Sequence, residues 1–215
     1  MLTGIELLTK FFITRDGVFT SEEALQCCHD ILSALQSAAS ASIQHGDICP
    51  EHVMRVSDSQ RHTYYVLVDW GHAVLEDRDS PSINLQFSST YALQEGKLCP
   101  ASDAESLVYL LYHLCGGTHQ QLESIEAALR WREKSWAKRR IQQQLGEVSA
   151  LLKAFADYVD SLCSTPYPVD YEIWLKRLSR ALPGNGHGKM IDYSAASVRS
   201  DDVEESSGTS AASLA

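Results

Sequence analysis

Ile43-Gln44-His45-Gly46-Asp47-Ile48-Cys49-Pro50-Glu51-His52-Val53-Met54, followed by Val66-Leu67-Val68-Asp69-Trp70-Gly71, decides how this chain is read. An aspartate in a tight loop comes first, then a hairpin, then a second aspartate leaving a strand just before a glycine. The hairpin is read from Val53-Met54-Arg55-Val56 and Tyr64-Tyr65-Val66-Leu67-Val68, separated by the polar turn Ser57-Asp58-Ser59-Gln60. This order suits phosphoryl transfer. Asp47 can accept a proton from a hydroxyl nucleophile, Asp69 can hold Mg²⁺ bridging ATP phosphates, and Gly71 lets the backbone turn sharply.

Upstream, Thr20-Ser21-Glu22-Glu23 has the spacing of a capping box, and Ala24, Cys28, Ile31, Leu32, Leu35 and Ala38 recur at helical intervals behind it. Downstream, residues 76–90 are polar and should be irregular. Asp103 to Cys115 is a strongly apolar helix stopped by Gly116-Gly117. Further helices are expected across about 119–145 and 147–163, and a last one from Tyr171 to Ala181 ahead of Pro183-Gly184. The fold class is therefore mainly α with a small β-hairpin insert.

The His45-Gly46-Asp47 and Asp69-Trp70-Gly71 triplets resemble the H-R-D and D-F-G motifs of protein kinases. Phe87-Ser88-Ser89-Thr90-Tyr91-Ala92-Leu93-Gln94-Glu95 is similar to the end of an activation segment, with Gln94 in place of the A-P-E proline and Glu95 keeping the acid. Ser102-Asp103-Ala104-Glu105-Ser106-Leu107-Val108-Tyr109 resembles the anchor helix of casein kinase 1 relatives. Phe155 to Val159 and Pro168 to Leu178 resemble their last helices. The resemblance covers residues 20–182 and implies a protein kinase-like C-lobe. It also implies ATP and Mg²⁺ as cofactors, a protein substrate or protein partner, Asp47 as catalytic base and Asp69 as metal ligand. His45, Asp103 and Glu95 take structural roles, Asp103 by bonding the catalytic-loop backbone from inside the lobe.

Several positions depart from the family pattern. Gly46 replaces the arginine that pairs with an activation-loop phosphate, and Cys49 replaces the catalytic-loop lysine. His52 stands at the metal-binding asparagine, where an imidazole nitrogen suits Mg²⁺ poorly because Mg²⁺ prefers hard oxygen donors. Residues 1–19, an N-lobe remnant or hinge side, carry no Gly-rich loop, and Lys10 is the sole lysine before Asp47. Weak or absent phosphotransfer is therefore expected. A non-catalytic pseudokinase module is the second reading. The H-G-D and D-W-G spellings also resemble aminoglycoside and choline phosphotransferases, which gives the third.

Of the 215 residues, 28 are Asp or Glu and 18 Lys or Arg, a formal net charge of −10. That balance argues against nucleic acid or an anionic membrane as partner. No apolar run approaches the roughly 20 residues that span a bilayer, and no signal peptide is apparent, so a cytoplasmic or nuclear location is expected. Six cysteines without a C-x-x-C pair argue against a disulfide framework or a zinc site. Cys27 and Cys28 read as small core hydrophobes. The basic run Arg130 to Arg140 reads as a solvated helix with Trp131 and Trp136 packed inward. Residues 183–215 read as an acidic, Ser/Gly/Ala-rich disordered tail.

Overall fold

A computed structural model of the chain describes residues 2–10, 18–59, 62–75, 80–119, 122–163 and 165–182. The tail expected over 183–215 lies outside them. Helix α1 (Ser21–Ala39) starts as its capping residues dictate: the Thr20 hydroxyl accepts from the Glu23 N–H at 3.3 Å, and the Glu23 carboxylate accepts from the Thr20 N–H at 3.0 Å. Its apolar stripe, Ala24, Cys27, Cys28, Ile31, Leu32 and Leu35, is buried. Burial raises the thiol pKa of both Cys27 and Cys28, in keeping with their packing role.

The expected hairpin is present but belongs to a larger sheet. Strands β1 (Leu2–Leu7), β2 (Val53–Asp58) and β3 (Thr63–Leu67) form an antiparallel sheet in the order β1-β2-β3, with Ile5 opposite Val56 and Val56 opposite Tyr64. Ser57 and Asp58, read as turn residues from sequence, extend β2 because each has a ladder partner. The Asp30 carboxylate of α1 accepts from the Tyr65 N–H at 2.9 Å, tying the helix to β3.

Helices α2 (Thr90–Glu95) and α3 (Ser102–Leu114) follow, and α3 is the axis of the molecule. Every residue of α3 except His113 is buried, so it is enclosed on all sides. Around it lie α4 (Ile125–Ala137), α5 (Arg140–Val148), α6 (Ala150–Leu162) and α7 (Tyr171–Ala181). Phe155 and Trp174 meet edge to face at 5.2 Å between centroids, joining α6 to α7. The helical stretch read across 119–145 is two helices, divided where Arg139 adopts φ 55°. No helix among the described residues is long and apolar enough to cross a membrane.

The basic run differs from a solvated face at one position. Arg132 is 1 % exposed. Its guanidinium donates to the carbonyls of Ser88 at 2.7 Å, Leu85 at 3.0 Å and Ala128 at 3.2 Å, and stacks 4.7 Å over the Tyr109 ring. A charge reads as surface from sequence; here three carbonyl acceptors and an aromatic face replace its water.

Beside Trp131, His119 lies 4.8 Å from that ring, 5.4 Å from Phe87 and 5.8 Å from His113. Burial lowers His113, and burial together with the His113 and Arg132 charges brings His119 to about 4. A histidine lowered in the folded state takes up its proton more readily when unfolded. Its stabilising contribution is therefore complete above the ordinary value of about 6.5 and declines as pH falls below it. Urea unfolding at stepped pH should show stability falling on the acid side by up to about 1.4 kcal/mol per pH unit for each such histidine. His119→Gln should flatten that limb.

Candidate functional site

The two aspartates are brought together because the loops carrying them are bonded to each other. Gln44 and Val74 exchange both backbone hydrogen bonds, at 3.0 and 2.8 Å, and the Val68 N–H donates to the His52 carbonyl at 2.9 Å. The hairpin β2–β3 therefore leaves and returns to one place, with Asp47 and Asp69 at its base.

Asp103, in the first turn of α3, fixes the first loop. Its two carboxylate oxygens accept from the backbone N–H groups of His45, at 2.7 Å, and Gly46, at 2.9 Å. Asp103 is 4 % exposed. Burial pushes its carboxyl up, while the two N–H groups pull it back toward the ionised form. Gly46 turns the chain with φ +76°, and a side chain there would come within 3.1 Å of the His72 carbonyl. Backbone geometry thus favours glycine at this place.

His45 is fully buried and belongs to this frame. Nδ1 accepts from the Asp47 N–H at 3.2 Å, so the proton sits on Nε2, which donates to the Val68 carbonyl at 3.0 Å. Burial lowers its pKa, consistent with a neutral ring. Trp70 packs edge-on against it at 4.7 Å.

His52 lies between the aspartates. Nδ1 is 2.8 Å from the Asp47 carbonyl, 3.6 Å from Asp47 Oδ2 and 3.4 Å from Cys49 Sγ, while Nε2 is 3.3 Å from Asp69 Oδ2. The 3₁₀ turn Pro50–His52 makes this possible by folding Cys49 and His52 back over the loop. Burial and the Glu51 carboxylate push the Cys49 thiol up to about 12, so it is protonated in this setting.

Asp69 is in the left-handed region, φ 59° and ψ 65°, and its Oδ1 faces the Gly71 N–H at 3.4 Å. Its side chain is 54 % exposed. An exposed carboxylate suits Mg²⁺, which keeps several waters and takes one or two carboxylates besides phosphate oxygens. The imidazole of His52 adds no oxygen donor, so the residues present fit one Mg²⁺ at Asp69 and do not fit a second at position 52.

Glu95, assigned a structural role from sequence, is exposed at the end of α2, and its side chain makes no hydrogen bond or ion pair among the described residues. The buried acid of this region is Glu105, whose Oε1 accepts from the Thr90 N–H at 2.9 Å and the Tyr109 hydroxyl at 2.6 Å. Sequence reading quoted Glu105 without assigning it a role; its place four residues before Tyr109 on an apolar helix was the available signal. A cavity of about 580 Å³ opens nearby, lined by Thr90, Arg130, Trp136 and Asp160, and includes neither Asp47 nor Asp69. Sequence reading also took Cys49 and His52 as separate departures. Their C-x-x-H spacing was the sign that they meet.

No protein-family model matches the chain. Curated relatives include the calcium and calcium/calmodulin-dependent serine/threonine-protein kinase of Medicago truncatula, 30% identical over 121 residues, or 54% of this chain and 23% of the relative. The kinases so named from Lotus japonicus and Pisum sativum are 29% identical over 121 residues, covering 54% of this chain and 23% and 22% of themselves. The chain is thus distantly related to Ser/Thr protein kinases, and spans less than a quarter of the length of these relatives.

Asp103→Ala should lower the unfolding free energy by roughly 3 kcal/mol in urea titration, because two backbone N–H groups lose their acceptor at about 1–3 kcal/mol each. Asp103→Asn should recover part of that loss. Gly46→Ala should cost about 1–2 kcal/mol through its left-handed backbone alone.

Proposed function

We propose that this chain is a protein kinase-like domain whose phosphotransfer centre, Asp47 and Asp69, is blunted by His52. The relationship to Ser/Thr protein kinases supports the reaction class. The single observation that carries the reading is the imidazole held between the two carboxylates, 3.6 Å from one and 3.3 Å from the other.

In this reading Asp47 orients the attacking hydroxyl of a protein serine or threonine and takes its proton. Its N–H is held by the His45 ring and the two preceding N–H groups by Asp103, so the carboxylate is presented from a fixed turn. Asp69 would hold Mg²⁺, which when bound supplies charge neutralisation on the phosphates of ATP. Its exposed position leaves room for waters and phosphate oxygens. His52 opposes both roles. When it carries a proton on each nitrogen it pairs with Asp69 and competes with a cation there. Cys49 offers no positive charge toward a γ-phosphate, so one source of transition-state stabilisation is missing.

The casein kinase 1 branch rests on Ser102 to Tyr109 and the last two helices, and belongs to this proposal as its finer part. The same His52 bridge favours a second reading, a non-catalytic module that binds a protein partner. Thermal unfolding with and without ATP/Mg²⁺ distinguishes them. The catalytic reading expects a rise in Tm for the wild type, its loss in Asp69→Ala, and slow transfer of γ-phosphate to a protein substrate. It also expects faster transfer in His52→Asn. No shift and no transfer in either the wild type or His52→Asn would leave only the binding module.

A further inference from the structure

Asp47, Cys49 and His52 present a carboxylate oxygen, a sulfur and an imidazole nitrogen, all within 4.8 Å of one another. The nitrogen–sulfur distance is 3.4 Å and the nitrogen–oxygen distance 3.6 Å. A tetrahedral zinc centre, with bonds of about 2.3 Å to sulfur and about 2.0 Å to nitrogen or oxygen, puts its ligand atoms roughly 3.3–3.6 Å apart. Both distances from the nitrogen therefore match the spacing such an ion imposes, and the sulfur and the carboxylate oxygen lie within 4.8 Å of each other.

A second feature points the same way. Nε2 of His52 faces Asp69 Oδ2 at 3.3 Å. A ligating histidine commonly donates its other ring N–H to a carboxylate, which fixes the tautomer and turns the free lone pair toward the metal. In the structure the Asp47 carbonyl, which only accepts, lies 2.8 Å from Nδ1, so that nitrogen carries the proton; ion binding moves the proton to Nε2, where the Asp69 carboxylate receives it, and frees the Nδ1 lone pair for the ion. The carbonyl is closer to Nδ1 than tetrahedral ligands stand to each other, so we do not count it as a donor.

We propose that Asp47, Cys49 and His52 form a binding site for a zinc-class divalent cation, with Asp69 as the positioning carboxylate of His52. Thiolate and imidazole select a borderline cation over Mg²⁺. Binding forms the metal–sulfur bond as the Cys49 thiol gives up its proton to solvent, so each ion bound releases one proton there. Three protein ligands leave a fourth position open for water or a phosphate oxygen. The site stands independently of phosphotransfer, because it uses no nucleotide. Where both exist they exclude each other, since the cation occupies the Asp47 carboxylate.

The test is titration of the full chain with Co²⁺ as the probe, free of nucleotide and Mg²⁺. The expected result is one equivalent bound, with intense four-coordinate visible bands and a thiolate-to-cobalt charge-transfer band in the near ultraviolet. Added Zn²⁺ should erase both. Cys49→Ser should remove the charge-transfer band, while Cys163→Ser, at a partly exposed thiol elsewhere, should leave it. Asp69→Asn should weaken binding about 10–100-fold with the band retained, as loss of an outer-shell partner does. Weak octahedral bands in the wild type would overturn the site whatever the variants do, and so would a charge-transfer band that survives Cys49→Ser. Failure here with ATP/Mg²⁺ stabilisation intact removes the cation site alone. A normal cobalt spectrum without any nucleotide effect removes phosphotransfer alone.

Discussion

One carboxylate, that of Asp103, holds the backbone of the loop on which the candidate site is built. It sits in the first turn of the most enclosed helix and takes both N–H groups at the His45-Gly46 turn. Those two groups point inward at a bend with no strand or helix partner, and leaving them bare would cost about 1–3 kcal/mol each. Everything at the site inherits this anchor. The His45 ring is held by Val68 and Asp47, Val68 ends the hairpin, and Asp69 follows it. The position of a surface aspartate is thus referred back to the core helix through a short chain of backbone bonds.

Features set by neighbours in sequence were legible before the structure was. The Thr20–Glu23 cap, the paired runs around Ser57, and the apolar helix ended by Gly116 are local patterns, and the chain folds there as they require. Two features were not legible. Strand β1 fell within residues 1–19, read only as an N-lobe remnant or hinge side, because its partner β2 lies tens of residues away and no local signal names it. Arg132 was read as solvated because a guanidinium has no sequence mark for burial; the carbonyls of Ser88 and Leu85 that receive it come from a distant loop.

At the site, sequence identified the participants and missed their relation. Reading position 52 against a metal-binding asparagine shows the loss of an oxygen donor. The structure adds what the imidazole does in its place, which is to touch Asp47, Cys49 and Asp69 at once. An asparagine side chain is shorter and has one planar amide; a histidine has two nitrogens on opposite sides of a ring. That shape lets a single residue span the gap between two carboxylates while also meeting the Cys49 sulfur.

The sheet carries a consequence for the order in which the molecule assembles. Strands β2 and β3 are separated by only four residues in sequence and meet quickly, whereas β1 must close a loop that contains all of α1 before it can pair with β2. The hairpin and its base, where both aspartates lie, can therefore form before β1 is added. β1 is an outer strand with one partner, so its amide protons should exchange with solvent sooner than those of α3, which is buried along nearly its whole length. The sheet thus has a late-joining edge strand, with Asp47 and Asp69 on its early-forming side.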